Sequence, residues 1–276
     1  MVANHELQRA EEWSGLRGFT NLLYKENRAW WGTRRWWINA LLWTGMLGGL
    51  AAMVVFMLPT IAQATDDPAV AKAGGPIPFG LEMGRTVFFE LGAMALAIGV
   101  IILCQDLIVD EKQTGLTEWL LAKPVTRRAY VLAKLVASAL AVMILLVALP
   151  SLACYLLLSA RVGSFFPFLP FLGGVGIMIV HTLFYLTLTL MLGTLFNSRP
   201  PILGIALGVL LGGNLLAGFL KPLLPVTPLL LGKVASLTAG SQPLPPELLL
   251  YPVIASVLWS VIFIVVAVVR FEKTEF

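Results

Sequence analysis

Charged side chains are scarce: Asp, Glu, Lys and Arg make up only 12% of the 276 residues. A soluble domain carries about 25%, so this chain cannot coat a water-facing globule. Intrinsic disorder needs low hydrophobicity and high charge, and is excluded as well. Cysteine is nearly absent. Cys104 and Cys154 sit deep in apolar runs, give neither a disulfide framework nor a metal-ligand spacing, and read as small core residues. No Gly-x-x-x-x-Gly-Lys-Ser/Thr occurs, and Gly232-Lys233 lacks the first glycine of that pattern. The chain therefore has no loop to cradle nucleotide phosphates. The apolar runs also lack carboxylate or histidine pairs at i, i+3 or i+4. No metal route, proton relay or catalytic constellation can be built from them.

What is present is hydrophobic: 58% of residues, with a mean hydropathy of +0.88. A bilayer core needs about 20 apolar residues in helical form. Six runs qualify: 38–61, 86–109, 135–159, 171–196, 201–220 and 251–269. The expected fold class is an all-α integral membrane protein with six transmembrane helices. The first run follows a polar, Trp-rich segment and is too long for a cleaved signal peptide. The net charge of +4 points to loops that face anionic lipid, not to nucleic-acid binding. With both termini inside, fourteen Lys and Arg fall on the cytoplasmic side and five outside. That asymmetry, with the even span number, places both termini in the cytoplasm.

Residues 14–35 predict an amphipathic interfacial helix, after a cytoplasmic tail at 1–13. Leu16, Phe19, Leu22, Leu23 and Trp30 share one side, and Arg17, Asn21, Lys25 and Arg28 the other. Glu26 falls on the apolar side and breaks the pattern. Five of the eight Trp crowd positions 13–37, as expected at headgroup level. The helix reads either as an anchor or as a lever on the first span. Between the fifth and sixth spans, 221–250 is Pro-rich yet apolar, which predicts a short re-entrant or interface-lying cap. A second tail occupies 271–276.

The most polar stretch inside the hydrophobic body is the inner loop 110–128. Leu116, Trp119 and Leu120 stand at i, i+3, i+4 as a small apolar face, with Glu111 and Glu118 beside it. Pro124 stops that helix. Thr126 can cap the next, with Arg127 and Arg128 at the lipid surface. Such a helix suits docking in a partner groove; a solvated turn is the plainer reading.

The acidic pair Asp110-Glu111, the run from Gly115 through Glu118 to Leu120-Leu121, then Lys123-Pro124-Val125-Thr126-Arg127 and Lys134 resemble the type 2 ABC exporter permeases. The motif covers about 25 residues; the interfacial helix, six spans and long last external segment extend the likeness. Lys112 stands where the family pattern suggests Arg, and Trp119 where an aliphatic residue is common. The resemblance implies the type 2 ABC exporter transmembrane-domain fold, with 36–270 as a six-helix permease domain. It also implies a dimeric pathway made with a second permease subunit, as homodimer or heterodimer, and a separate ABC ATPase subunit that binds ATP and Mg. This chain would bind no cofactor and carry no catalytic or metal-binding residue. By position, Asp110, Glu111, Thr114, Gly115, Glu118 and Trp119 become ATPase-coupling residues. Phe88, Phe89, Met94 and Asn214 fall near the translocation pathway. An accessory extracytoplasmic protein is a further candidate partner, and the inner membrane is the expected location.

Within the spans, Glu90 and Asp106 lie near opposite ends of the second run, while His181 and Asn214 are deeper. Interhelical hydrogen bonding is expected of the latter two. Gly204, Gly208 and Gly212, spaced by four, make a flank for close helix packing, as do Gly45 and Gly49. That flank serves either packing within the subunit or a subunit interface. The alternative functions are a secondary transporter or channel without an ATPase, which calls for internal repeats or midmembrane charge, and a membrane-embedded enzyme.

Overall fold

The computed structural model describes residues 16–216, 219 and 224–274, the side chains of Leu121, Asn214, Leu216 and Leu224 excepted. The tail 1–13 and the last two residues lie outside it. Helix α1 is Phe19–Trp31, α2 Arg35–Ala64, α4 Pro76–Gln113, α6 Arg127–Val162, α7 Phe168–Leu195 and α10 Pro246–Glu272. Between them come α3, Pro68–Lys72, α5, Leu116–Leu121, α8, Arg199–Gly212, continued by Gly213–Leu216, and α9, Leu231–Ala239. No strand occurs among the described residues.

Among the described residues, five helices (α2, α4, α6, α7 and α10) are long and apolar enough to cross a bilayer, and α8 and α9 are shorter apolar helices. The run expected as a span at 201–220 holds α8 and its short continuation, which is not one of the five. Several helices outrun their apolar stretch. At 1.5 Å per residue, the 38 residues of α4 exceed a hydrocarbon core of about 30 Å. Continuing a helix keeps its backbone hydrogen bonds internal, so Pro76–Thr86 stays helical beyond the hydropathy boundary. Four π-helical segments interrupt the spans, at Met53–Met57, Val87–Leu91, Met143–Ala148 and Gly208–Gly212.

Helix α7 is the axis of the packing: 72% of its most apolar window is buried, against 17% for α10 and 28% for α2. The exposed faces of α2 and α10 are lined by large apolar side chains, among them Leu41, Met46, Ile254 and Val265. These face the missing solvent, lipid. Lipid supplies no hydrophobic drive between helices, so close van der Waals packing through small residues holds them together. Gly174 shows the principle. A Cβ there would lie 2.7 Å from the Ala235 carbonyl oxygen and 2.9 Å from the Ala239 Cβ, so α7 and α9 are in near-backbone contact. Gly174→Ala is expected to force them apart at a cost of about 1–3 kcal/mol, read as an earlier unfolding midpoint in SDS-containing mixed micelles.

Gly204, Gly208 and Gly212 behave differently: a Cβ at any of them meets nothing within 4 Å, and the same holds for Gly45 and Gly49. Among the described residues, neither flank is in close contact with another helix; Gly208 and Gly212 line a groove that Phe184, Trp259 and Phe263 share. The two cysteines are buried and free.

Candidate functional site

One end of the bundle, where α1, the end of α4, α5 and the start of α6 meet, concentrates the charge that the rest of the chain lacks. Glu26, which breaks the amphipathic pattern of α1, is buried because α1 lies along α6 and turns this carboxylate toward Lys134. Lys134 Nζ lies 3.1 Å from Glu26 Oε1 and 3.1 Å from Glu111 Oε1. Lys25 reaches the same two acids at 3.2 and 2.5 Å, and the Tyr130 hydroxyl donates to Glu111 Oε2 at 2.6 Å. Two cations and two anions from α1, α4 and α6 thus form a neutral knot. Desolvation alone would lower the Lys25 ammonium. Its hydrogen bond to Glu111 and the neighbouring Glu26 charge outweigh that, and hold it above the ordinary lysine value.

Neighbouring residues of the same segment reach the other way. Asp110 takes a two-pronged hydrogen bond from Arg199 Nη2, at 2.6 and 2.7 Å, and Asp106 stands 3.9 Å from the same guanidinium. Lys112 Nζ donates to the carbonyls of Gly193 at 3.1 Å and Thr194 at 2.9 Å, where α7 ends and its last carbonyls lack helical partners. A positive charge is favoured there by the helix dipole. Gln113 Nε2 donates to the Asn197 carbonyl at 2.9 Å. Residues 110–113 are therefore strapped to α1 and α6 on one side and to the α7–α8 junction on the other.

Helix α5 hangs from these straps. Gly115 enters it with φ of +71°, a left-handed conformation open to glycine at little cost. Thr117 and Leu120 are buried beneath it, while Glu118 is exposed and Trp119 is 58% exposed. The apolar face expected of Leu116, Trp119 and Leu120 is thus divided: the leucines pack inward and the tryptophan projects. Lys123 Nζ sits 3.6 Å from the Trp119 ring centroid, steadying the ring. Thr114 is exposed, its hydroxyl donating to the Asp110 carbonyl at 2.8 Å. Glu111 is not on this outer surface. Its carboxylate is spent on Lys25, Lys134 and Tyr130, so its place is within the support. Beside α5, a cleft of about 600 Å³ is lined by Arg17, Lys25 and Lys123 together with Leu120, Pro124 and Val125.

The basic pair after the loop also does something other than meet lipid. Thr126 Oγ1 accepts from the Ala129 amide at 3.3 Å as the N-cap of α6. Arg127 donates to the carbonyls of Glu272 and Thr274 at 2.6 Å each, and Arg128 pairs with the Glu272 carboxylate at 2.5 Å. Stacking of Tyr130 on Phe271, 4.9 Å between centroids, completes a clasp between α6 and the end of α10.

Of the residues expected near a pathway, Phe88 and Phe89 are buried. Phe89 meets Phe88 at 5.2 Å and Phe171 at 5.5 Å, edge to face, so both serve the core of the subunit. Met94 lines a small cavity with Glu90 and His181. Interhelical hydrogen bonding was expected of His181; its Nδ1 has no partner among the described residues, and its ring lies against Tyr185, 5.1 Å between centroids. Asn214 is in the helical continuation of α8, and its side chain lies outside the described ones. No group of three or more His, Cys, Asp or Glu able to hold a metal occurs among the described residues.

No curated protein shows significant similarity to the chain. A family model described as ABC-2 family transporter protein matches residues 21–276, that is, α1 and every crossing. Multiple apolar helices, one end where charge is gathered at α5, and this match over nearly the whole length lead to one assignment: the chain is a multi-pass membrane protein of the ABC-2 transporter family.

Proposed function

We propose that the chain is the permease subunit of an ATP-driven exporter in the inner membrane, with α8 as the sixth crossing and both termini in the cytoplasm. A separate ABC ATPase docks on α5 and binds the ATP and Mg. The observation that carries this reading is α5 itself: a projecting Trp119 and Glu118 on a helix whose root is tied by Glu111 to α1 and α6 and by Asp110 and Lys112 to the α7–α8 junction. A push on such a helix is delivered to four others at once. It biases an inward and an outward arrangement only through contacts that differ between them. In this reading Trp119, Glu118 and Thr114 meet the ATPase, Gly115 sets the angle of α5, and Asp110 and Glu111 position it. The basic cleft beside α5 accepts an acidic edge of the ATPase, by charge complementarity.

The open flank of Gly204, Gly208 and Gly212 supports pairing with a second permease subunit, the closest backbone approach then being made between subunits. Purification from native membranes in mild detergent is expected to yield a stoichiometric complex with a Walker-motif ATPase and two permease chains. Isolation of a transport-competent chain with neither overturns the proposal.

A further inference from the structure

At the end of the bundle opposite α5, a cavity of about 120 Å³ opens where α4, α7, α8 and α9 converge. Its polar lining is Glu90, His181 and Lys233, and its apolar wall Met94, Leu210 and Leu229. Glu90 and Lys233 reach it as exposed side chains, and His181 from the buried face of α7. Among the described residues neither Glu90 nor Lys233 joins an ion pair, although they share the cavity. His181 is buried and its Nδ1 has no hydrogen-bond partner. The backbone around them is shaped for the purpose. A Cβ on Gly232 would lie 3.0 Å from the Phe89 carbonyl oxygen and 3.3 Å from the Glu90 Cα, so α9 rests on α4 at Glu90, one residue before Lys233. The π-helical segments Val87–Leu91 and Gly208–Gly212 widen α4 and α8 at this level, a distortion frequent at functional positions.

We propose that this cavity binds a zwitterionic group, one bearing an ammonium and an oxyanion, on the molecule that the permease moves. The proposal rests on the permease reading and adds the chemistry of its cargo. A ligand with one charge would leave either Glu90 or Lys233 uncompensated at the edge of a low-dielectric site, whereas a zwitterion answers both. The imidazole offers one more hydrogen-bonding group to either end. An apolar cavity of about 150 Å³ takes benzene, so this one takes roughly half a dozen heavy atoms. An aminophospholipid headgroup and a free amino acid or very short peptide both bear that pair of charges.

The sequence contains two histidines, His5 and His181, so ¹⁵N-histidine NMR of the full chain in phosphatidylglycerol nanodiscs reads the site directly, with His5→Gln assigning the signals. The probes are short-chain phosphatidylethanolamine and diglycine, with glycerol phosphate and ethanolamine as single-charge controls. The expected result is a saturable shift of the His181 ring with one or both zwitterions. Affinity falls at least tenfold in Glu90→Gln and in Lys233→Gln, which keep side-chain size, and is retained in Lys233→Arg. A response to the lipid alone assigns a headgroup, and to diglycine alone a soluble cargo. The proposal is overturned by silence to both zwitterions, by equal response to the single-charge controls, or by unchanged affinity in both neutral variants. No nucleotide or ATPase enters this measurement, so its failure and that of the permease reading are separate outcomes.

Discussion

Replacing Lys134 by Ala is expected to lower stability by about 3–5 kcal/mol, the usual cost of removing one member of a buried ion pair. The side chain is 2% exposed and serves Glu26 and Glu111 together, so its loss leaves two carboxylates facing a single ammonium, that of Lys25. Glu26→Gln alone should also destabilise, by stranding positive charge instead. The double variant Glu26→Gln/Lys134→Ala removes one charge of each sign and leaves Lys25, Glu111 and Tyr130 as a neutral remainder. Its cost should fall well short of the sum of the two single changes, a coupling that marks groups in one network. The SDS-unfolding midpoints of the three variants provide the measurement. Additive costs would mean that the four charges act independently.

Trp119→Ala is expected to act on association and to leave folding nearly untouched. Removing a central aromatic anchor from an interface typically costs 2 kcal/mol or more, which is roughly a 30-fold loss of affinity for the ATPase. The ring is half free and braced by Lys123, so little ordering remains to be done on binding. Its removal from an exposed position should shift the unfolding midpoint by no more than about 0.5 kcal/mol. ATPase retained per permease through purification, set beside the midpoint, separates the two effects. A normal complex with Trp119→Ala would place the docking surface elsewhere.

The long apolar helices could be read from hydropathy because lipid demands it of every residue on the outer faces of α2 and α10. The charged end could be read only in part. Glu26 looks like a flaw in an amphipathic helix as long as α1 is considered alone. Its partner Lys134 lies 108 positions away, and no local periodicity reports on that. Glu111 looks exposed for the same reason, since its neighbours in sequence are polar while its neighbours in space are Lys25, Tyr130 and Lys134. A signal was nevertheless present: an acid on the apolar side of α1 and a lysine well inside α6 are each costly alone and make sense as a pair. Arg127 and Arg128 were legible as cations near a helix start, but their partners, the Glu272 and Thr274 carbonyls and the Glu272 carboxylate, depend on how the final helix returns to the bundle. For Gly204, Gly208 and Gly212, spacing alone leaves open whether the flank is filled within the subunit. Among the described residues, no atom comes within 4 Å of a Cβ at any of them.

The two tethers of α5 differ in their access to water. Asp110 and Arg199 meet with side chains 43% and 49% exposed, where dissolved ions screen charge over a Debye length of about 8 Å at physiological ionic strength. Within the knot Lys134 is 2% exposed and Lys25 38%. A rise in salt on this side of the membrane therefore weakens the Asp110–Arg199 pair more than the contacts of Lys134 with Glu26 and Glu111, and shifts the load on α5 from the α7–α8 junction toward α1 and α6 without any change in nucleotide.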